Sequence, residues 1–166
     1  MPKRKENMTA ADLMAKLNSD PDYLARRAIK EAEIDALSDA CRNDESELVA
    51  KLNELGLPVD SVWDLVNNAP HPILVRKFYG SYEIAYPLLV EHLKLSHHPR
   101  IREGIIRALT EKSAKSIASE QLLHELEHES KQSHRWVIAN ALRSMLSRSE
   151  LNTHPKIEEA YRAGYL

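Results

Sequence analysis

The sequence predicts an all-α protein, and three observations carry the prediction. Leu, Ala, Glu, Lys and Arg dominate a chain that is 43% hydrophobic and 29% charged, and these residues lose little side-chain freedom in a helix. Aromatic residues make up 5% and there are four glycines in 166 residues, too few for the strands and turns of a sandwich or barrel. Apolar residues recur at helical spacing, and from residue 83 onward the pattern repeats itself after 33 residues.

The length fits one domain, or one compact domain with a helical appendage. A net charge of −2 implies no global attraction to nucleic acid or acidic membranes. The single Cys41 cannot form an internal disulfide, which favours a reducing compartment. No apolar run has the length of a membrane span, and the basic start lacks the apolar stretch of a signal peptide. The expectation is a cytoplasmic protein, monomeric or weakly self-associating.

Residues 1–8 read as a flexible tail and residues 9–66 as N-terminal helices that pack on or cap the later ones. Thr9 and Asp12 have the spacing of a capping box, opening a short helix with Leu13, Met14 and Leu17 on its apolar stripe. Asn18 and Ser19 end it. Asp20-Pro21 places an N-cap before a first-turn proline. The helix it starts reaches Ala40 or beyond. Its thin seam of Leu24, Ala28, Ala32, Ile34, Leu37 and Cys41 predicts a helix lying along a neighbour and only partly buried. After a break at Asn43-Asp44, Leu48, Val49, Leu52 and Leu55 mark another helix, closed by Gly56 and Pro58. Ser61 and Asp64 form a second capping-box candidate before a short helix, where Trp63 reads as a core anchor rather than a ligand-facing ring. Residues 67–81 form an apolar connector: Pro70 and Pro72 forbid a continuous helix, and Phe78 and Tyr79 need burial.

The repeat occupies residues 82–146. One helix spans about 83–95, a Ser-His-His-Pro turn comes next, and a second helix runs from Arg100 to about Thr110. Shifted by 33 residues without a gap, Leu89 falls on Leu122, Val90 on Leu123, Leu93 on Leu126, Arg102 on Arg135, Ile105 on Ile138, Ala108 on Ala141 and Leu109 on Leu142. Matched apolar positions at a fixed period mark hairpins that bury their faces on one another. Arg102 and Arg135 read as structural, bonding carbonyls or carboxylates in the turns. Residues 147–166 form a cap: a polar connector from Ser147 to Thr153, then a helix from Pro155 to Ala163. Glu158 and Glu159 point outward there, and Tyr161 or Tyr165 covers the open end.

The segment Pro99-Arg-Ile-Arg-Glu-Gly-Ile-Ile-Arg-Ala-Leu109 resembles the second helix of a HEAT repeat, and His134-Arg-Trp-Val-Ile-Ala-Asn-Ala-Leu142 keeps its Arg and Ala-Leu. Each preceding helix is also similar to the family's first helix, with a Leu-rich run. The chain thus resembles small bacterial HEAT-repeat proteins, over residues 83–146. The resemblance implies an α-α solenoid of the armadillo-like kind, in which the second helices line a partner-binding face. On those helices Arg100, Glu103, Arg107 and Thr110 stand opposite the core stripe, with Trp136, Asn140 and Arg143 at later positions. Trp and Arg are frequent hot spots, and their mixed charge fits a protein partner, as a scaffold or inhibitor would have, better than a phosphate backbone. The alternative for Trp136 is cover by Tyr161 or Tyr165. A nucleic-acid reading rests on Arg100, Arg102, Arg107, Arg135 and Arg143.

His124-Glu125-Leu126-Glu127-His128 fits the H-E-x-x-H pattern of zinc hydrolases. The inward Leu122, Leu123 and Leu126 turn both histidines toward solvent, and no third ligand announces itself, though His134 and Glu150 are near in sequence. His92, His97 and His98 with His124 or His128 offer at most a surface metal cluster. No phosphate loop, Cys-x-x-Cys pair or activated nucleophile is present. The expectation is therefore a protein without catalytic residues, cofactor or metal.

Overall fold

The computed structural model describes residues 8–66, 68 and 78–164. Among them the secondary structure is helical throughout, with no strand. The chain divides into two compact units, one ending at Ala40 and one running from Cys41. No helix among the described residues is long and apolar enough to cross a membrane.

The first unit holds α1 (Ala10–Asn18) and most of α2 (Pro21–Asp44). The Thr9 hydroxyl accepts the Asp12 amide at 3.2 Å while Asp12 Oδ2 accepts the Thr9 amide at 3.2 Å, closing the expected capping box. Asp20 Oδ1 accepts the Asp22 and Tyr23 amides ahead of the first turn of α2. The seam is more open than its pattern predicts. Leu24, Ile29, Ile34 and Leu37 are all exposed, and Cys41 is the single buried residue of α2 among those described. Helix propensity and pairs such as Arg27–Glu31, 2.7 Å apart, support this helix rather than a core.

The second unit begins with the last turn of α2 and continues through α3 (Ser46–Glu54) and α4 (Trp63–Val66). Helix α3 buries Leu48 and Leu52 and ends in a Schellman turn. Gly56 adopts φ +84°, and the Leu57 amide donates to Leu52 O at 3.1 Å. Asp64 accepts the Asp60 and Ser61 amides. Glu45, 6% exposed, reaches across to accept the Val62 amide at 3.0 Å and the Ser61 hydroxyl at 2.9 Å. Burial pushes its carboxyl pKa up, against the pull of those two bonds.

Two helical hairpins complete the repeat region. A 3-10 turn leads into α5 (Tyr86–Leu93), which pairs with α6 (Pro99–Ala108). Another leads into α7 (Lys115–His128), which pairs with α8 (Gln132–Met145). Helix α5 packs on α7, and α6 packs on α4 and α8. Leu89 and Leu122, Leu93 and Leu126, Ile105 and Ile138, Ala108 and Ala141, and Leu109 and Leu142 are each no more than 2% exposed. Residues 33 apart therefore share one environment. Phe78 is buried edge-on against Tyr82, ring centroids 6.4 Å apart, whereas Tyr79 stays half exposed. The rest of the apolar connector, residues 67 and 69–77, lies outside the described residues.

The polar stretch after Leu146 is not a connector but a helix, α9 (Arg148–Thr153). Ser147 and Glu150 form a capping box that composition alone disguises. Lys115 and Ser147 together hold the Glu150 carboxyl down to about 2. Helix α10 (Pro155–Arg162) then packs on α8 and α9 and buries Ile157 and Ala160. Glu158 does not point free into solvent as its position predicts; it sits 2.8 Å from Arg143.

Gly104 sits where α6 comes close to Val62 and Trp63. A Cβ there would stand 2.7 Å from Val62 Cγ1 and 3.0 Å from Trp63 Nε1. Overpacking of this kind costs about 1–3 kcal/mol, which exceeds the roughly 1 kcal/mol that alanine gains over glycine in a helix. Gly104→Ala is expected to lower stability by about 1 kcal/mol net, measured by urea unfolding; equal or greater stability would mean the α4–α6 approach is looser than described.

Candidate functional site

The second helices, α6 and α8, lie side by side and carry the residues expected to meet a partner. Arg100 is exposed at the start of α6, its amide donating to His98 Nδ1 at 3.2 Å. Glu103 and Arg107, one turn apart, form an ion pair at 2.8 Å and are half-buried. Thr110 is turned to its own helix, its hydroxyl donating to Ile106 O at 3.0 Å. On α8, Asn140 is half-buried.

Trp136 and Arg143 stand differently. Helix α10 lays Tyr161 against Trp136, with ring centroids 5.7 Å apart and planes 18° from parallel. The Arg143 guanidinium lies 3.7 Å from the centre of the same tyrosine ring, and its Nε is 2.8 Å from Glu158. Stacking and a cation over a ring thus converge on one tyrosine, each worth about 0.5–1.5 kcal/mol, and the ion pair beside them adds up to about 1 kcal/mol. Of the six expected residues, Arg100 is exposed and Glu103, Arg107 and Asn140 are partly exposed. Trp136 and Arg143 are engaged by the chain's own last helix. Tyr165, the other expected cover, lies outside the described residues.

The two matched arginines are consumed inside the hairpins. Arg102 donates to Leu93 O at 3.1 Å and Arg135 to Leu126 O at 2.8 Å. Arg102 also pairs with Glu125, which joins the first hairpin to the second. Their role is the structural one expected.

The H-E-x-x-H segment lies at the end of α7. His124 and His128 are exposed as expected, with rings 4.2 Å apart and His128 Nδ1 bonded to His124 O at 2.8 Å. Glu125 Oε1 lies 3.9 Å from His124 Nδ1, and the carboxylate is tied to Arg102 and, at 2.5 Å, to Gln121. A general base must face the metal-bound water, and this one is locked in an interior ion pair. His134 lies 3.3 Å from Glu129, and Glu150 bonds Lys115 at 2.7 Å. Among the described residues no three His, Cys, Asp or Glu side chains are grouped to hold a metal ion.

Compared with protein-family models, curated proteins and solved structures, the chain matches none.

Sequence reasoning missed two groupings. Glu45 gave no local signal, because its partners lie 16 and 17 residues away. His92, His97 and His98 read at most as part of a surface metal cluster, yet His92 is 2% exposed and His97 meets Asp44 at 2.8 Å. The proline after His98 was the available clue, since a residue before a helix-starting proline is an N-cap position.

Removing the tyrosine tests the α8–α10 arrangement. Tyr161→Ala in a Trp63→Phe background is expected to shift Trp136 emission to the red and cost about 2–4 kcal/mol in urea unfolding. Unchanged emission would mean that Trp136 is covered by something else.

Proposed function

We propose that the chain is a non-catalytic protein–protein interaction module, a short HEAT-like α-solenoid that takes its partner on the side of α6 and α8. One observation carries this reading. Residues 33 apart share the same burial in two stacked hairpins, while Arg100, Glu103, Arg107 and Asn140 keep exposed surface on the second helices. An array of this construction offers an extended face built from one helix of each hairpin. The mixture of Arg100, Arg107 and Glu103 favours a protein of mixed charge. A phosphate backbone asks for a continuous basic row, and Arg102, Arg135 and Arg143 are already engaged internally. A cytoplasmic setting fits the lone thiol, Cys41.

The decisive experiment is affinity capture from native cells with size-resolved detection, repeated with Arg100→Glu and Arg107→Glu combined and with Trp136→Ala. Arg100 is exposed and Arg107 half-buried outside the core, so the variant is expected to keep its circular dichroism and lose at least tenfold in affinity for a partner bound by the parent chain. Full binding by the folded variant would sink the proposed face. Duplex DNA at low salt serves as the contrast, with no mobility shift expected; a strongly salt-dependent shift would favour a nucleic-acid partner instead.

A further inference from the structure

The turn between α5 and α6 carries two consecutive histidines, and each meets the last turn of α2. His97 Nδ1 lies 2.8 Å from Asp44 Oδ2, and His98 Nδ1 lies 3.5 Å from Cys41 Sγ. Beneath them His97 Nε2 is 3.2 Å from His92 Nδ1, the two rings stacked with centroids 5.3 Å apart. His92 is 2% exposed, and its Nε2 is buried without a hydrogen-bond partner among the described residues.

The protons of this chain of groups can be counted. A carboxylate only accepts, so His97 Nδ1 carries a hydrogen toward Asp44. The neutral His97 ring is then bare at Nε2 and accepts from His92 Nδ1–H. That leaves His92 neutral, with its lone pair at the buried Nε2. The gap between the two rings holds one hydrogen and no more. An added proton therefore comes to rest on His92 Nε2, whichever ring formally bears the charge. There it makes a buried N–H with no acceptor, which proteins avoid.

The charged surroundings do not relieve it. Glu47 and Lys51 of α3, Glu91 of the same helix, and His97 backed by Asp44 face the ring. Burial first, then His97 and Lys51, hold the His92 pKa below its ordinary value against the opposing pull of Glu47 and Glu91.

We infer that Asp44, His97 and His92 form an acid-sensitive latch, in which uptake of one proton at His92 unfastens the α5–α6 turn from residues 41–44. A histidine whose pKa is depressed by folding leaves the folded state fully stable above the unfolded value of about 6.5. Stability then falls as pH drops below that value, until the folded pKa is passed. For one proton, the opening equilibrium rises about tenfold per pH unit across this window.

Cys41, buried beside His98, is the probe. Its labelling by dithiodipyridine is measured from pH 7.5 to 5.0, each rate divided by that of urea-unfolded protein at the same pH. The relative rate is expected to climb about tenfold per unit below about pH 6.5 in the parent chain. His92→Leu is expected to flatten the climb, and His98→Asn, which retains a capping acceptor, to keep it. A flat parent profile, a climb that survives His92→Leu, or one that vanishes in His98→Asn overturns the latch. So does a labelling rate that depends on urea as steeply as global unfolding, because the corner would then open only with the whole unit. Imidazole nitrogen NMR of the unaltered protein at pH 7.5 supplies a check that no variant can spoil: the Nδ1–H tautomer of His92 is expected, and the Nε2–H tautomer overturns the proton count.

Discussion

A helix that ends inside a protein leaves its last carbonyls without intrahelical donors, and the second unit answers that need twice with the same device. Helices α5 and α7 run into the turns that return to α6 and α8. In both, an arginine nine residues further on donates to the stranded carbonyl, Arg102 to Leu93 and Arg135 to Leu126. The bond fixes where each second helix lies against its first. Leu89, Leu93 and Ile105 can then close together in one hairpin, and Leu122, Leu126 and Ile138 in the other. Glu125 extends the arrangement, because its carboxylate turns inward to Arg102 and couples the hairpins. The glutamate of a tempting zinc motif is thereby committed to an ion pair with Arg102.

Much of this was legible because the signals are local and periodic. The Thr9–Asp12 box, the Asp20-Pro21 start and the Gly56 stop each depend on neighbours within a few residues, and all three form. The shared 33-residue spacing placed the buried leucines, since a repeated environment demands a repeated residue. The outward turn of His124 and His128 came from the same stripe. Interactions between distant segments were beyond reach. Nothing near Glu45 reveals that it caps α4, and nothing near His92 reveals a second histidine beneath the turn. Helix α9 was hidden for a different reason: five polar residues around Leu151 look like a loop until the Ser147–Glu150 box is recognised. The seam of α2 erred in the other direction. Helical spacing of apolar residues states that a face exists, and Leu24, Ile34 and Leu37 are exposed all the same.

The candidate face was half legible. Charge and composition identified Arg100, Glu103 and Arg107 on α6, where local helix geometry decides what is exposed. On α8 the outcome depended on α10. Tyr161 occupies both Trp136 and Arg143, so a hot-spot composition there serves the protein's own packing. The same chemistry that makes Trp and Arg good at binding partners makes them good at holding a terminal helix.

Helix α9 starts at Arg148, 33 residues after the start of α7 at Lys115. Where α7 runs unbroken for 14 residues, the later segment is divided at Pro155 into two short helices. Proline can donate no hydrogen bond and its ring crowds the preceding turn. The segment folds back on α8, burying Ile157 and Ala160 and committing Glu158 to Arg143. The proline thus acts as punctuation: it divides the third stretch at this spacing into two short helices and turns the second back on α8.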